Sequence, residues 1–364
     1  MKLKVTAVTL LLLASAGCGN NSSPTVNPNL PRAYNGSASV GDFLNITLDP
    51  VAKTISYTNR SNGDTGVVPY TLNSDGTYTL TDPSGNLVAA YEVPNYALLI
   101  QATKTGPTHD QPSLVTAVES GPITKATWAG KSYNYMQFRT AAGGMEVGSV
   151  ALDSTGTAQV QHYWPYGAYN GSAFGGKTFD SSLFQNDPSG TFLQLSDGSG
   201  GSDYVFGTPN GVFAVDTNNG AILGLQKAAT KDFDPTFAGT YKAIYYQKTG
   251  ASTGFGNVET GTPSLGASTI TINSTGQITV QNAAAVTLLQ SRLTPVADAA
   301  YLVGSGELTD PCFGLFTFRV ATANSQQDVF VTFQGRSLLF SSFSTSLPWQ
   351  SGNTYDYVYG VGLK

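Results

Sequence analysis

Eighteen Asp, five Glu, two His and two Cys are the side chains of this 364-residue sequence best suited to chemistry. A glycoside hydrolase needs two carboxyl groups flanking one bond. The five Glu (Glu92, Glu119, Glu146, Glu259, Glu307) are scattered along the chain. The Asp residues gather in turn sequences: Asp75 in NSDG, Asp82 and Asp187 in DPSG, Asp153 in DSTG, Asp197 in SDGSG and Asp216 in DTNNG. Asp and Asn side chains close such turns on their own backbone, which explains these placements without catalysis. Asp216-Thr-Asn218-Asn219-Gly220 puts oxygen donors before a glycine, yet it lacks the distal bidentate Glu of a calcium loop and reads as a plain turn. A catalytic triad would have to recruit His109, in GPTHDQP, or His162, and no G-x-S-x-G elbow accompanies either. The glycine pairs at Gly143-Gly144 and Gly200-Gly201 open no helical pattern, so they make no phosphate cradle. The expectation is no catalytic residue, no metal and no cofactor. The rival expectation is a secreted hydrolase acting on polysaccharide.

The stretch with the strongest binding character is aromatic. His162, Tyr163, Trp164, Tyr166 and Tyr169 fall within HYWPYGAYN, a segment broken by Pro165 and Gly167. Loops run over the surface, and Trp and Tyr are favoured where a surface binds something. Flat rings beside Asn170 suit the apolar face of a sugar ring, so a glycan is the expected ligand. The competing expectation is that these rings plug a barrel end. Trp349, Tyr355, Tyr357 and Tyr359 form a second cluster, whose alternating tyrosines share one face of a final strand and read as core or interface. Cys312, in DPCFGLFTF, reads as a buried structural thiol.

The elements that must carry these residues are strands. Runs of four to eight residues rich in Val, Ile, Thr, Tyr and Phe alternate with Gly, Asn, Asp, Ser and Pro clusters, the pattern of antiparallel hairpins. Residues 281–300, rich in Ala and Leu, are expected to form the one short helix. Tyr70–Leu80 (YTLNSDGTYTL) recurs as Val150–Val160 (VALDSTGTAQV) and Ile270–Val280 (ITINSTGQITV), each a strand, an Asx-Ser-x-Gly turn and a strand. Trp128-Ala-Gly130, Phe237-Ala-Gly239 and, more faintly, Tyr34-Asn-Gly36 each introduce a unit. Units are therefore placed at 32–122, 123–230 and 231–364. The fold class is all-β: three tandem antiparallel meanders, as small barrels or sandwiches, with a β-propeller as the alternative. The aromatic-x-Gly entry into a meander faintly resembles lipocalins, which implies a cup-like barrel.

Residues 1–17 carry Lys2 and Lys4 ahead of an apolar run from Val5 to Leu13, too short for the roughly 20 residues of a membrane-spanning helix, and read as a signal peptide. The sequence Ser15-Ala-Gly-Cys18 resembles the lipobox of bacterial lipoproteins. That resemblance implies that Cys18 is acylated, becomes the first mature residue and anchors the chain in the outer membrane, facing the periplasm or the surface. Residues 18–31 then read as the lipidated Cys and a polar, Pro-bearing tether. With Cys18 lipidated, Cys312 has no partner for a disulfide. Charged residues make up 11% of the sequence with a net charge of −5 and no basic run, which excludes a nucleic-acid partner. The overall expectation is a lipid-anchored cell-envelope protein of structural or ligand-binding type, its partners the membrane through Cys18 and a glycan or envelope protein.

Overall fold

The computed structural model describes residues 27–81, 85–103, 111–140, 145–164, 177–196, 202–254, 257–258, 261–296, 299–303, 306–321, 326–344 and 354–364. Its first unit holds β1 (Arg32–Ala38), β2 (Asp42–Asp49), β3 (Thr54–Asn59), β4 (Thr65–Leu72), β5 (Thr77–Thr81), β6 (Leu87–Val93), β7 (Ala97–Ala102) and β8 (Ser113–Glu119). Each strand pairs with the next, and β8 returns to β1, so the sheet closes as an eight-stranded up-and-down barrel. Eight strands leave an interior that side chains nearly fill. Alternate residues therefore point inward: Tyr34, Ala38, Leu44, Ile46, Leu48, Tyr78, Leu80, Ala90 and Leu98 are buried there.

The second unit holds β9 (Ser132–Phe138), β10 (Met145–Leu152), β11 (Ala158–Trp164), β12 (Lys177–Phe179), β13 (Phe184–Asn186), β14 (Leu193–Ser196), β15 (Ser202–Thr208), β16 (Val212–Thr217) and β17 (Gly220–Gln226). The third holds β18 (Gly239–Gly254), β19 (Asn257–Val258), β20 (Pro263–Ile272), β21 (Gln277–Asn282), β22 (Thr287–Arg292), β23 (Thr294–Pro295), β24 (Ala299–Val303), β25 (Gly306–Asp310), β26 (Leu315–Ala321), β27 (Gln326–Gln334), β28 (Ser337–Ser344) and β29 (Thr354–Leu363). In both units the first strand pairs with the last, β9 with β17 and β18 with β29, as β1 does with β8. The second sheet is open between β12 and β13, which one 3-10 turn at Ser181–Leu183 connects. The third is drawn together by one segment: β22 pairs with β21, and β23, one residue further on, pairs with β26. The hairpin β24–β25 stands apart from that sheet.

The all-β meander expectation holds, and the propeller alternative gives way to barrel-like sheets, because first strand pairs with last. The helix expected over 281–300 is not there. Asn282 Oδ1 accepts from the amides of Ala284 and Val286, Ala285 takes φ 58°, and the segment turns into the β21–β22 hairpin. Three alanines cannot repay helix nucleation when an Asx turn and a paired strand compete for the same backbone.

The repeated turn is real. Gly76, Gly156 and Gly276 sit at φ 82°, 86° and 78°, which glycine adopts without a Cβ penalty. Their amides donate to the carbonyls of Asn73, Asp153 and Asn273. Its place in the unit is not constant, however. In the second and third units it links the second and third strands of the sheet path. In the first it links β4 to β5, and the equivalent β2–β3 turn is Asp49–Thr54.

Beside their own interiors, the three units meet in one shared apolar cluster. Phe43 of the first stacks on Tyr204 of the second at 4.6 Å, and Phe138 of the second stacks on Tyr359 of the third at 4.5 Å. The outer face of β1 is polar because it is covered by polar partners: Asn35 Nδ2 donates to the Thr191 carbonyl at 2.8 Å, and Ser39 Oγ lies 2.6 Å from Thr140 Oγ1.

Candidate functional site

Side chains that face into the third barrel divide it into a filled floor and an empty cup. The floor is aromatic. Phe237, in the 3-10 turn Pro235–Phe237, stacks on Phe333 at 5.4 Å, and Phe233 packs edge-on to Phe316 and Phe333. Tyr241 closes the set, donating its hydroxyl to the Phe237 carbonyl at 2.7 Å. Further along the same strands the inward residues are Tyr245 and Gln247 on β18, Ser268 and Ile270 on β20, Ile278 and Val280 on β21, Phe318 and Val320 on β26, and Phe340 and Ser342 on β28. They do not meet, and they enclose a hollow of about 240 Å³.

Two sequence details shape this cup. Gly266 and Gly360 lie under the rings of Tyr245 and Phe340: a Cβ at Gly360 would come within 2.5 Å of the Phe340 ring. Glycine there lets the rings lie flat on the sheet, the usual partnership of aromatic and strand glycine. The pairing of β21 with β22 also slips between Val280 and Gln281, leaving one extra residue. Such a bulge redirects side chains, and here both Leu288 and Leu289 line the cup, with Leu288 57% exposed at its rim.

Polar groups in the cup are few. Gln247, Gln327, Ser268, Ser342 and Tyr245 line it beside eleven apolar side chains and Val358, and Ser342 Oγ already accepts from the Val358 amide at 3.0 Å. Among the described residues no Asp or Glu lines it. The arrangement suits a small apolar molecule held by contact, with little to recognise a sugar's hydroxyls or to move a proton.

No family model matches the chain, and no curated protein matches it. Among solved structures it is similar to a double mutant of transferrin-binding protein B from Haemophilus parasuis Hp5, at 10% identity over 92% of this chain and 76% of that one, with a TM-score of 0.27. It is similar also to the isotype 1 transferrin-binding protein B of serogroup B Neisseria meningitidis, at 11% identity over 89% and 66%, with a TM-score of 0.28. Scores this low describe a loose superposition, and nothing about ligand, partner or location follows from them.

The residues expected to bind a glycan fall largely outside the described side chains. The backbone of His162, Tyr163 and Trp164 belongs to β11, with His162 opposite Gly148 and Trp164 opposite Val147, so these three are on a strand and not in a loop. Tyr166 and Tyr169 lie outside the described residues, as do Cys18, His109 and Trp349. Tyr357 and Tyr359 do share one face, turned away from the cup. They are buried against Tyr246 and the second unit, and burial raises both hydroxyls above the ordinary tyrosine range. Cys312 is buried, as expected.

Two buried carboxylates went unread in the sequence. Glu92, on β6, points into the first barrel near its mouth. It accepts from Arg32 Nε at 2.6 Å and Nη2 at 2.7 Å, from the Tyr34 hydroxyl at 2.5 Å and from the Tyr78 hydroxyl at 2.7 Å. Burial and the neighbouring carboxylate push the Tyr34 and Tyr78 hydroxyls well up. The signal was there: Val88, Ala90 and Glu92 alternate, so the acid shares the apolar face. Asp216 is not a turn residue. It lies on β16, 2% exposed, and accepts from Ser37 Oγ on β1. Burial first, then Asp42 and Asp203, hold its carboxyl well above the usual range despite that hydrogen bond.

Above Glu92 a second hollow of about 340 Å³ opens at the mouth of the first barrel, lined by Pro28, Arg32, Pro50, Lys53, Tyr70, Leu72, Tyr78 and Pro94.

Proposed function

We propose that this is a lipid-anchored cell-envelope protein that binds a small apolar ligand in the cup of its third barrel. The observation that carries the ligand is that 240 Å³ hollow, walled by Ile270, Ile278, Val280, Val320, Val329 and Phe340. An engineered apolar cavity of about 150 Å³ stays dry and takes up benzene, so this one has room for a fused ring pair or a short acyl segment. Small barrel-like sheets can enclose one small ligand in this way. The envelope location and the anchor rest on the signal peptide and on Cys18 in its lipobox-like sequence.

The test is titration of the full mature chain with N-phenyl-1-naphthylamine, an apolar fluorophore. Saturable enhancement is expected, and Val280→Trp, which fills the cup, should abolish it. Equal enhancement by both proteins would overturn the assignment. A glycan site at His162, Tyr163, Trp164, Tyr166 and Tyr169 is a separate proposal, resting on their aromatic character alone. A glycan screen comparing the chain with Trp164→Ala decides it.

A further inference from the structure

The lead-in to β1 and the turns β2–β3, β4–β5 and β6–β7 gather at one end of the first barrel, around the hollow above Glu92. That end differs from its counterparts. In the second and third units a 3-10 turn before the first strand drives an aromatic into the barrel end, Trp128 after Lys125–Thr127 and Phe237 in Pro235–Phe237. Trp128 is 1% exposed and Phe237 9%. The first unit has Asn27–Pro31 in that place, and among the described residues this lead-in carries no aromatic; Tyr70 and Tyr78 line the hollow from the strands instead. Leu30, Val51 and Leu72 stand around it, 58%, 70% and 59% exposed.

The rim also carries a cation in an unfavourable backbone position. Lys53 sits at φ 56°, a conformation that Gly or Asn adopts more readily. Its side chain is exposed beside Pro50 and Leu72. Three of the acids at this end have partners of their own, and Glu119 ends β8 exposed. Asp49 Oδ1 accepts from the amides of Val51 and Ala52, Asp75 meets Lys242 of the third unit at 3.6 Å, and Glu92 is held by Arg32 beneath the mouth.

We propose that this rim, with Leu30, Val51 and Leu72 entering the acyl boundary and Lys53 meeting lipid phosphate, seats on the bilayer that holds the Cys18 lipid. The proposal rests on the anchor reading above. Its carrying fact is reach. Only nine peptide steps separate Cys18 from Asn27, and nine residues span at most roughly 30 Å. The mouth of the first barrel is where the described chain enters the fold from its anchor, so an anchored molecule keeps this apolar rim and its lysine beside the membrane. Apolar side chains flanked by a Lys are the composition that lies at an anionic bilayer surface.

The experiment uses the mature lipidated chain in phosphatidylethanolamine–phosphatidylglycerol vesicles. Val51→Cys, Leu72→Cys and Leu87→Cys are each labelled with an environment-sensitive dye, Cys312 being buried and Leu87 lying at the opposite end of the barrel. The dyes at 51 and 72 are expected to shift to the blue and to be quenched by spin-labelled lipid, and the dye at 87 to do neither. Vesicle binding of the lipid-free Cys18→Ser chain should fall on the order of tenfold for Leu72→Asp, the worth of one apolar side chain withdrawn from water. Chains that float with the vesicles while all three dyes stay unquenched would overturn the docking and leave the anchor standing. Chains that do not float at all would overturn both. Dyes at 51 and 72 that respond only to an added envelope protein would give the rim to a protein partner and overturn the proposal.

Discussion

Replacing Asp216 by Asn should remove a pH dependence that the native chain carries between its first two units. The carboxyl is 2% exposed, its hydrogen-bond partner is the neutral Ser37 of β1, and its charged neighbours, Asp42 on β2 and Asp203 on β15, are both acids. All three influences other than Ser37 favour the protonated form, so the folded pKa lies well above the unfolded one. Below about pH 4 both states hold the proton and the group contributes no slope. Above that the unfolded chain releases a proton that the folded chain keeps. Stability therefore falls as pH rises, by about 1.4 kcal/mol per pH unit, until the folded pKa is passed. Asn is neutral throughout, and its amide oxygen can accept from Ser37. Urea unfolding followed by tryptophan fluorescence at pH 4, 5, 6 and 7 measures the difference, since Trp128 is buried in the second unit. The gap in stability, variant minus native, should grow with that slope. A gap that stays flat, or that turns against Asn as pH rises, would mean that Asp216 is ionised where it sits and would refute the reasoning.

Two further substitutions test the packing. Glu92→Ala leaves the half-buried Arg32 guanidinium unpaired and removes the acceptor for Tyr34 and Tyr78, so it should cost about 3 kcal/mol in a denaturant titration. Gly276→Ala brings the new methyl into ordinary contact with the Phe233 ring at 3.4 Å, but forces an L-residue to φ 78°. It should cost about 1–2 kcal/mol, most of which Gly276→Asn should restore.

The sequence is most legible where chemistry is local. Asx-Ser-x-Gly turns announce themselves because the side chain and the glycine act within five residues, and all three adopt the expected geometry. The buried state of Cys312 and the shared face of Tyr357 and Tyr359 followed from alternation and apolar context in the same way. What depends on distant strands was hidden. The cup draws its walls from eight strands between Tyr245 and Val358, and its emptiness is a matter of which inward side chains fail to meet. The 281–300 segment misled because Ala and Leu report helix propensity, whereas Asn282 and the waiting edge of β21 decided the outcome. Asp216 read as a turn because DTNNG is turn chemistry. Its burial comes from β1, which lies 179 residues earlier.

The pairing of first strand with last sets an order on how the molecule can be made. Barrel one can shut once Glu119 has emerged, because β8 is the strand that β1 waits for. Barrel three begins at Gly239 and has to hold β18 and β28 open until Thr354–Leu363 arrives to lie between them. Contacts so remote in sequence form slowly, and unpaired edges invite pairing with other chains in the meantime. A chain cut short before residue 354 would therefore be a hazard as well as a loss: two complete units carrying two raw edges, β18 and β28, at the place where their shared neighbour should be.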